Sequence, residues 1–381
     1  FGGVLTTMVG HNNPAVTAAI QDQAAKTLHT SSLYLSPPML DLAEQIAERS
    51  GIPDARVCFT TSGSEANDTA LLLATSFRKS NQVQAMRNSY HGRSFTTQAV
   101  TSHATWSSTS ISGLQVNFVH GGYRLRSPFA ELDDEAYTTA CVGDLVQLLD
   151  MTSAGDVACL IAEPIQGVGG FTVPPDGFFG AMKKELDNRN ILFVSDEVQT
   201  GWGRTGEHFW GYEAHGIVPD ILTFAKGVGN GITLAGCVAR AEIMDTIEVL
   251  SFSTFGGNPL SAAAGAATLN YVLDNDLQAN AQAMGARFQA AVQPLVDATS
   301  WIAELRGRGF MWALEMCHPG TIEPDAAKTL AFLEGCKRHG LLVGKGGLYG
   351  NVIRLAPMLD VTADELETGI DAIRATIADL A

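Results

Sequence analysis

The chain has 381 residues, 46% of them hydrophobic and 17% charged, with a formal net charge of −16. That acidity argues against nucleic acid and against anionic membrane surfaces as partners, so an anionic substrate must be drawn in by local positive groups. No apolar run approaches the roughly 18 residues of a membrane span, no secretory leader is expected at the start, and the length is ample for two to three domains around a large core.

In chain order, Val57-Cys58-Phe59-Thr60 reads as a short strand, Thr61-Ser62-Gly63-Ser64-Glu65 as a tight turn, and Ala66 through Phe77 as a helix with apolar Ala70, Leu71, Leu73, Ala74 and Phe77. A strand, a Gly/Ser turn and a helix start make an anion site, because free N–H groups and about half a positive charge sit at that helix end. Ordinary capping explains the same residues. The turn is not a P-loop, since no Gly-Lys-Ser/Thr follows, and it is not GxGxxG. Tyr90-His91 reads as a turn flank or as packing. Leu160–Glu163 is a further strand, and Phe178–Arg189 a helix.

Ile191-Leu192-Phe193-Val194 is apolar throughout, as in a strand buried on both faces of a parallel sheet. Asp196 ends it, and a carboxylate there is costly unless something positive meets it. It serves either as a cap for the next turn or as the counter-ion of a protonated ring nitrogen. Thirty positions on, Lys226 closes the apolar run Ile221–Ala225 and opens Gly227-Val228-Gly229-Asn230-Gly231. An amine at the end of a buried strand loses hydration, which makes its neutral, nucleophilic form accessible. Glycines beside it let a bulky ligand approach the backbone. Taken alone, Lys226 would be read as a solvated strand-end lysine.

Gly236–Ala239 is one more strand; Pro259 then begins an Ala-rich helical stretch towards Val296, interrupted near Asp274-Asn275-Asp276. The domain change is placed there: 1–20 is an N-terminal segment, 21–275 a large domain, and 276–381 a smaller α+β domain ending in a helix near Ala363–Leu380. Strands alternating with helices imply a mostly parallel sheet with right-handed crossovers, whose ligands bind beyond the strands' carboxyl ends. Lys345 reads as an exposed residue in a hairpin or substrate-side loop, and Arg204 as part of a structural ion pair. Cys58, Cys141, Cys159, Cys237, Cys317 and Cys336 have irregular spacings and no CxxC. Buried free thiols in a reducing compartment are expected, not a disulfide set or a metal site.

A lysine that condenses with an aldehyde, a strand-end aspartate and a phosphate-binding helix start together describe a pyridoxal phosphate site. The chain also resembles the class III (ω-type) aminotransferases of fold type I. The matching stretches are Thr61–Asn67, Tyr90-His-Gly92, Ala162-Glu-Pro-Ile-Gln-Gly167, Ser195-Asp-Glu-Val-Gln-Thr-Gly201, Phe224-Ala-Lys-Gly227 and Ser253–Pro259. Within the family, Tyr123–Pro128, His208–Gly216 and Gly344–Gly350 look most like the alanine–glyoxylate type. Gly10-His-Asn-Asn-Pro14 resembles the family's Gly-His-x-x-Pro. The segment that precedes it in the family, which completes the small domain and reaches the substrate pocket, does not lie in this chain.

The resemblance implies an α/β fold, with a large domain of mostly parallel sheet flanked by helices and a smaller α+β domain. It implies that Lys226 carries the cofactor and then the proton shift, and that Asp196 partners the pyridine nitrogen. Ser62, Gly63 and Ser64 would take the phosphate, Tyr90 and Val198 would flank the ring, and Gln199 would meet its phenolic oxygen. His91 belongs to the same pocket as a structural rather than catalytic group, since the lysine already shuttles the proton. Thr254 would reach the phosphate of a neighbouring subunit's cofactor, making the unit a two-fold dimer or a dimer of dimers. Arg354, in a short β-like run, would hold the substrate carboxylate through paired hydrogen bonds. Glu163 would lie beside cofactor and substrate and pair with an arginine when no second carboxylate is bound.

The activity implied is ping-pong transamination between a small amino acid (alanine, β-alanine or another ω-amino acid) and glyoxylate or pyruvate, in the cytoplasm unless an organellar leader precedes the chain. A 4-aminobutyrate/2-oxoglutarate aminotransferase, a dialkylglycine decarboxylase and an aminomutase share the fold and remain alternatives. A nicotinamide-dependent dehydrogenase is disfavoured by the missing GxGxxG. A non-catalytic phosphate-ligand binder would hold the cofactor without transferring any amino group.

Overall fold

A computed structural model describes all 381 residues. Its main sheet has seven strands: β1 (Ala55–Thr60), β2 (Gln82–Met86), β3 (Gln115–Val119), β4 (Cys159–Ala162), β5 (Leu192–Asp196), β6 (Ile221–Phe224) and β7 (Ala235–Arg240), in the order β1-β7-β6-β5-β4-β2-β3. β3, β2, β4, β5 and β6 run parallel, while β7 is antiparallel to both β6 and β1. The expected strands lie within two residues of their sequence positions, and the helix expected over Ala66–Phe77 spans Gly63–Arg78, taking in part of the expected turn.

Alternation along each strand sends its side chains to two separate cores. Cys159, Ile161, Leu192 and Val194 pack under Ala70, Leu71 and Ala74 of the helix Gly63–Arg78. Leu160, Ala162 and Phe193, one residue out of phase, pack under the helices Asp134–Met151 and Phe178–Asp187. This two-sided burial is why the strands read as continuous apolar runs. β2 and β3 do not read that way. Gln82 and Gln84 interrupt β2 although both are buried, and β3 carries Gln115 and Asn117.

Towards the C-terminus the helices Pro259–Asp274 and Leu277–Asp297 are separated at Asn275-Asp276, where Asp276 takes a left-handed backbone. A four-stranded antiparallel sheet follows, with β8 (Ile302–Arg308), β9 (Met311–Met316), β10 (Gly344–Gly346) and β11 (Val352–Leu355) in the order β10-β11-β9-β8. Lys345 is exposed on β10. Arg204 departs from expectation. It is buried without a carboxylate partner and donates to the Pro357 carbonyl, and burial lowers its pKa to about 10. All six cysteines are free.

The residue after β5 anchors the turn that leaves the sheet. Glu197 is fully buried; one carboxyl oxygen accepts from Ser195 Oγ and the Tyr212 amide, the other from Thr200 Oγ and the Gly211 amide. Burial pushes its pKa from 4.5 up to about 7, against the pull of those four donors. The folded chain therefore retains a proton between pH 4.5 and 7 that the unfolded chain releases, so stability falls as pH rises through that window and levels off above it. Glu197→Gln is expected to remove this part of the slope, on the order of 3 kcal/mol, in unfolding measured at pH 5 and pH 7.5. Glu163, raised in the same way, leaves its own contribution. An unchanged slope would contradict the assignment.

Candidate active site

Three parallel strands end side by side, and each delivers a titratable group. β4 leads into Glu163, β5 ends in Asp196 beside Thr223 of β6, and β6 runs through Ala225 to Lys226. A cavity of about 350 Å³ lies at these carboxyl ends, where doubly wound sheets bind ligands. Ser62, Gly63, Ser64, Tyr90, His91, Glu163, Asp196, Val198, Gln199 and Lys226 all line it. Thr254 and Arg354 do not.

Lys226 has a left-handed backbone (φ +53°) and opens a short 3₁₀ turn. A non-glycine residue held in this region at a cavity is a mark of a functional constraint. Gly227 follows because a Cβ there would lie 2.8 Å from Met8 Sδ. Burial lowers the Lys226 pKa; Asp196 and Glu163 draw it back up, and Arg354 lowers it further. Burial thus favours the neutral amine, and the negative charge of Asp196 and Glu163 opposes that shift.

Asp196 is oriented from three sides. His91 Nδ1 and Asn67 Nδ2 meet one oxygen at 2.7 and 2.8 Å, and the Val198 amide donates to the other at 3.1 Å. Asn67 is itself fixed, donating to the His91 carbonyl and accepting from Thr223 Oγ1. Glu163 accepts from the amides of Tyr90 and Gly167, and burial pushes its pKa to about 7, with Asp196 adding to the rise. It forms no ion pair with Arg354. That arginine, 5% exposed, donates Nη1 to the Gly167 carbonyl and Nη2 to the Lys345 carbonyl, while its Nε has no partner. Burial lowers its pKa to about 10, and Glu163 opposes that shift.

The helix Gly63–Arg78 starts at the cavity wall, with Ser62 Oγ capping the Glu65 amide. The first-turn amides of Gly63 and Ser64 have no intrahelical acceptor. At Gly63 a Cβ would press on the Val198 methyl groups at 3.2 Å, so a larger residue there would require Val198 to give way. Glu65 accepts from the Thr61 amide and hydroxyl; although burial raises its pKa, bonds from Ser253 and Thr61 bring it below the ordinary value. Thr254, next to Ser253, is exposed between exposed Phe252 and Phe255. Tyr90 is half-buried, its ring edge-on to Trp106 at 5.2 Å.

Sequence reasoning gave no role to two residues here. Asn67 sits one turn into the helix, on the buried side with Ala66 and Ala70; a polar residue on that apolar stripe was the available signal. Arg93 follows the Tyr90-His-Gly92 motif and reaches the cavity wall, its amide donating to Ser64 Oγ. No sequence pattern distinguishes it from a solvated arginine.

The walls lack an anion at the helix start and a donor for Gln199 Oε1, which is buried without a partner. Together with a buried carboxylate and a buried amine, this donor set fits pyridoxal phosphate, which carries a phosphate, a phenolic hydroxyl, a ring N–H and an aldehyde.

Comparison with known proteins agrees. The class III aminotransferase family model matches residues 1–377. The chain is 35% identical over 378 residues to the mitochondrial alanine–glyoxylate aminotransferase 2 homolog 2 of Arabidopsis thaliana, covering 98% of this chain and 77% of that protein. It is 32% identical to a 4-aminobutyrate aminotransferase of Mycobacterium leprae, over 99% of this chain and 86% of that one. Among solved structures, a PLP-bound amine transaminase from an uncultivated Pseudomonas species superposes with a TM-score of 0.94 at 30% identity, covering 100% of this chain and 90% of that one. No helix is long and apolar enough to cross a membrane. The chain belongs to the class III aminotransferases, pyridoxal-phosphate-dependent enzymes of fold type I.

Proposed function

We propose that this enzyme transfers the amino group of a small amino acid, alanine or a β- or ω-amino acid, to glyoxylate or pyruvate in two half-reactions. The observation that carries the reading is Arg354, a buried guanidinium with no carboxylate partner, electrostatically coupled to Lys226 and Glu163. A buried cation left unpaired is costly, and a planar one with spare N–H donors suits a carboxylate. In this reading Arg354 takes the carboxylate common to donor and acceptor.

The other roles follow from position. Lys226 moves the α-proton at its Nζ, which its lowered pKa permits. Asp196, fixed by His91 and Asn67, holds the ring N–H. Gly63, Ser64 and the helix start hold the phosphate, with Ser62 as the cap that orients them. Tyr90 and Val198 confine the ring, and Gln199 takes the phenolic group. Bound pyridoxal phosphate supplies an electron-withdrawing ring that stabilises the charge left when the α-proton departs. We place the boundary between a large cofactor-binding domain and a smaller C-terminal one at the break after Asp274.

The alternative is a 4-aminobutyrate-type donor, a reading prompted by the 32% identical Mycobacterium leprae relative; Arg93, a second cation on the cavity wall beside Ser64, would then be open to a further carboxylate. A panel of donors and acceptors followed by cofactor absorbance decides between the two. Lys226→Ala should bind cofactor without the imine chromophore and transfer no amino group. Normal turnover in that variant would remove the central assignment, and loss of carbon dioxide or isomerisation without a keto acid would point to a decarboxylase or mutase.

Leu33, Tyr34, Leu35, Val249, Leu250 and Phe255 are 61–91% exposed; the last three are near Thr254 in the chain, and the Phe255 ring lies 5.1 Å from that of His29. Apolar exposure of this kind marks an association surface, which supports a two-fold dimer in which Thr254 reaches the partner's phosphate. Thr254→Ala should then raise the pyridoxal phosphate concentration for half-occupancy by roughly tenfold, the usual cost of one hydrogen bond to a charged group. Cofactor affinity unchanged in this variant, or in a variant that dissociates to monomers, would refute the shared site.

A further inference from the structure

Between Gln166 and Thr172, which form an isolated antiparallel bridge, the chain makes a turn that touches three charged groups. The Gly167 amide donates to Glu163, the Gly167 carbonyl accepts from Arg354 Nη1, and the Gly170 carbonyl accepts from Arg306 Nε at 2.9 Å. Arg306 is bonded to the fully buried Glu315. At the end of the turn stands Phe171, fully buried and with a left-handed backbone (φ +51°).

A bulky L-residue rarely adopts that conformation, and glycine would do so without strain. Glycine occupies the two preceding positions, so the phenyl ring at 171 answers a need other than backbone shape. Its surroundings supply one. The ring packs with Ile165, Met311, Val352 and Ala356, and its centroid lies 5.5 Å from the centre of the Arg354 guanidinium. The Phe1 ring lies 5.0 Å from the same group. The two carbonyl bonds fix Arg354 only along its N–H directions. An aromatic face fixes the plane of the cation and attracts it electrostatically. Strain kept at such a point is a sign of a functional constraint.

We propose that Phe171 is a positioning residue that sets the plane of the Arg354 guanidinium and thereby the enzyme's affinity for the substrate carboxylate. This rests on the reading of Arg354 as the carboxylate receptor. The test uses the holoenzyme and two probes, propanoate (a carboxylate without an amine) and propylamine (an amine without a carboxylate), with dissociation constants from calorimetry. Phe171→Leu and Phe171→Met keep an apolar side chain and remove the ring; two variants guard against a folding failure in one. Both should weaken propanoate by roughly tenfold and leave propylamine unchanged, and the KM for pyruvate should rise with kcat held. Equal weakening of both probes would mark a merely structural role and overturn the inference. Arg354→Gln separates the two levels. If it weakens propanoate while the Phe171 variants do not, the inference falls alone. If it leaves propanoate unchanged, the reading of Arg354 falls with it.

Discussion

A primary amine taken out of water at the end of a buried strand is the constraint around which this molecule is arranged. Lys226 can be desolvated only because β6 lies inside the sheet, with β5 on one side and β7 on the other. β6 can lie there only because its side chains satisfy cores on both faces. The same burial that lowers the amine's pKa raises that of Glu163. One physical cause thus moves an acid and a base towards neutral pH from opposite directions.

Isolated charges in such an interior are expensive, and the chain meets the cost with oriented dipoles as much as with ion pairs. Asp196 meets an imidazole and two N–H groups, Glu163 two backbone amides, and Arg354 two backbone carbonyls. None of these partners needs to move when a charged ligand arrives, which is the arrangement electrostatic preorganisation requires. Gly167 has a particular place here, since its amide serves Glu163 and its carbonyl serves Arg354. A displacement of that one residue is felt by an acid and a cation together.

The elements that sequence reasoning found are those whose local pattern and tertiary setting agree. β4, β5 and β6 are buried on both sides and therefore apolar along their length; the helix Gly63–Arg78 begins at a cap and carries one apolar stripe. β2 and β3 were missed because glutamines and an asparagine break the run, and β2 is nevertheless a buried strand within the sheet. Arg204 was misjudged for a related reason. Its lack of a carboxylate depends on which backbone carbonyl folds against it, and Pro357 is 153 positions away.

From the residues alone came the sheet's character, the lysine and aspartate at strand ends, the capped turn far upstream of them and the family pattern, because each is written in a contiguous stretch whose periodicity or spacing has a direct physical meaning. Tertiary structure alone decided that Asn67 and His91 hold Asp196, that Glu163 and Arg354 are satisfied separately, that Arg93 reaches the cavity, and that Phe171 sits beside Arg354. Apart from the Glu163–Gly167 and Arg354–Lys345 bonds, these relations join residues 24 to 187 positions apart. They exist only after the strands have taken their order in the sheet, and no local propensity encodes which side chain will meet which across that distance.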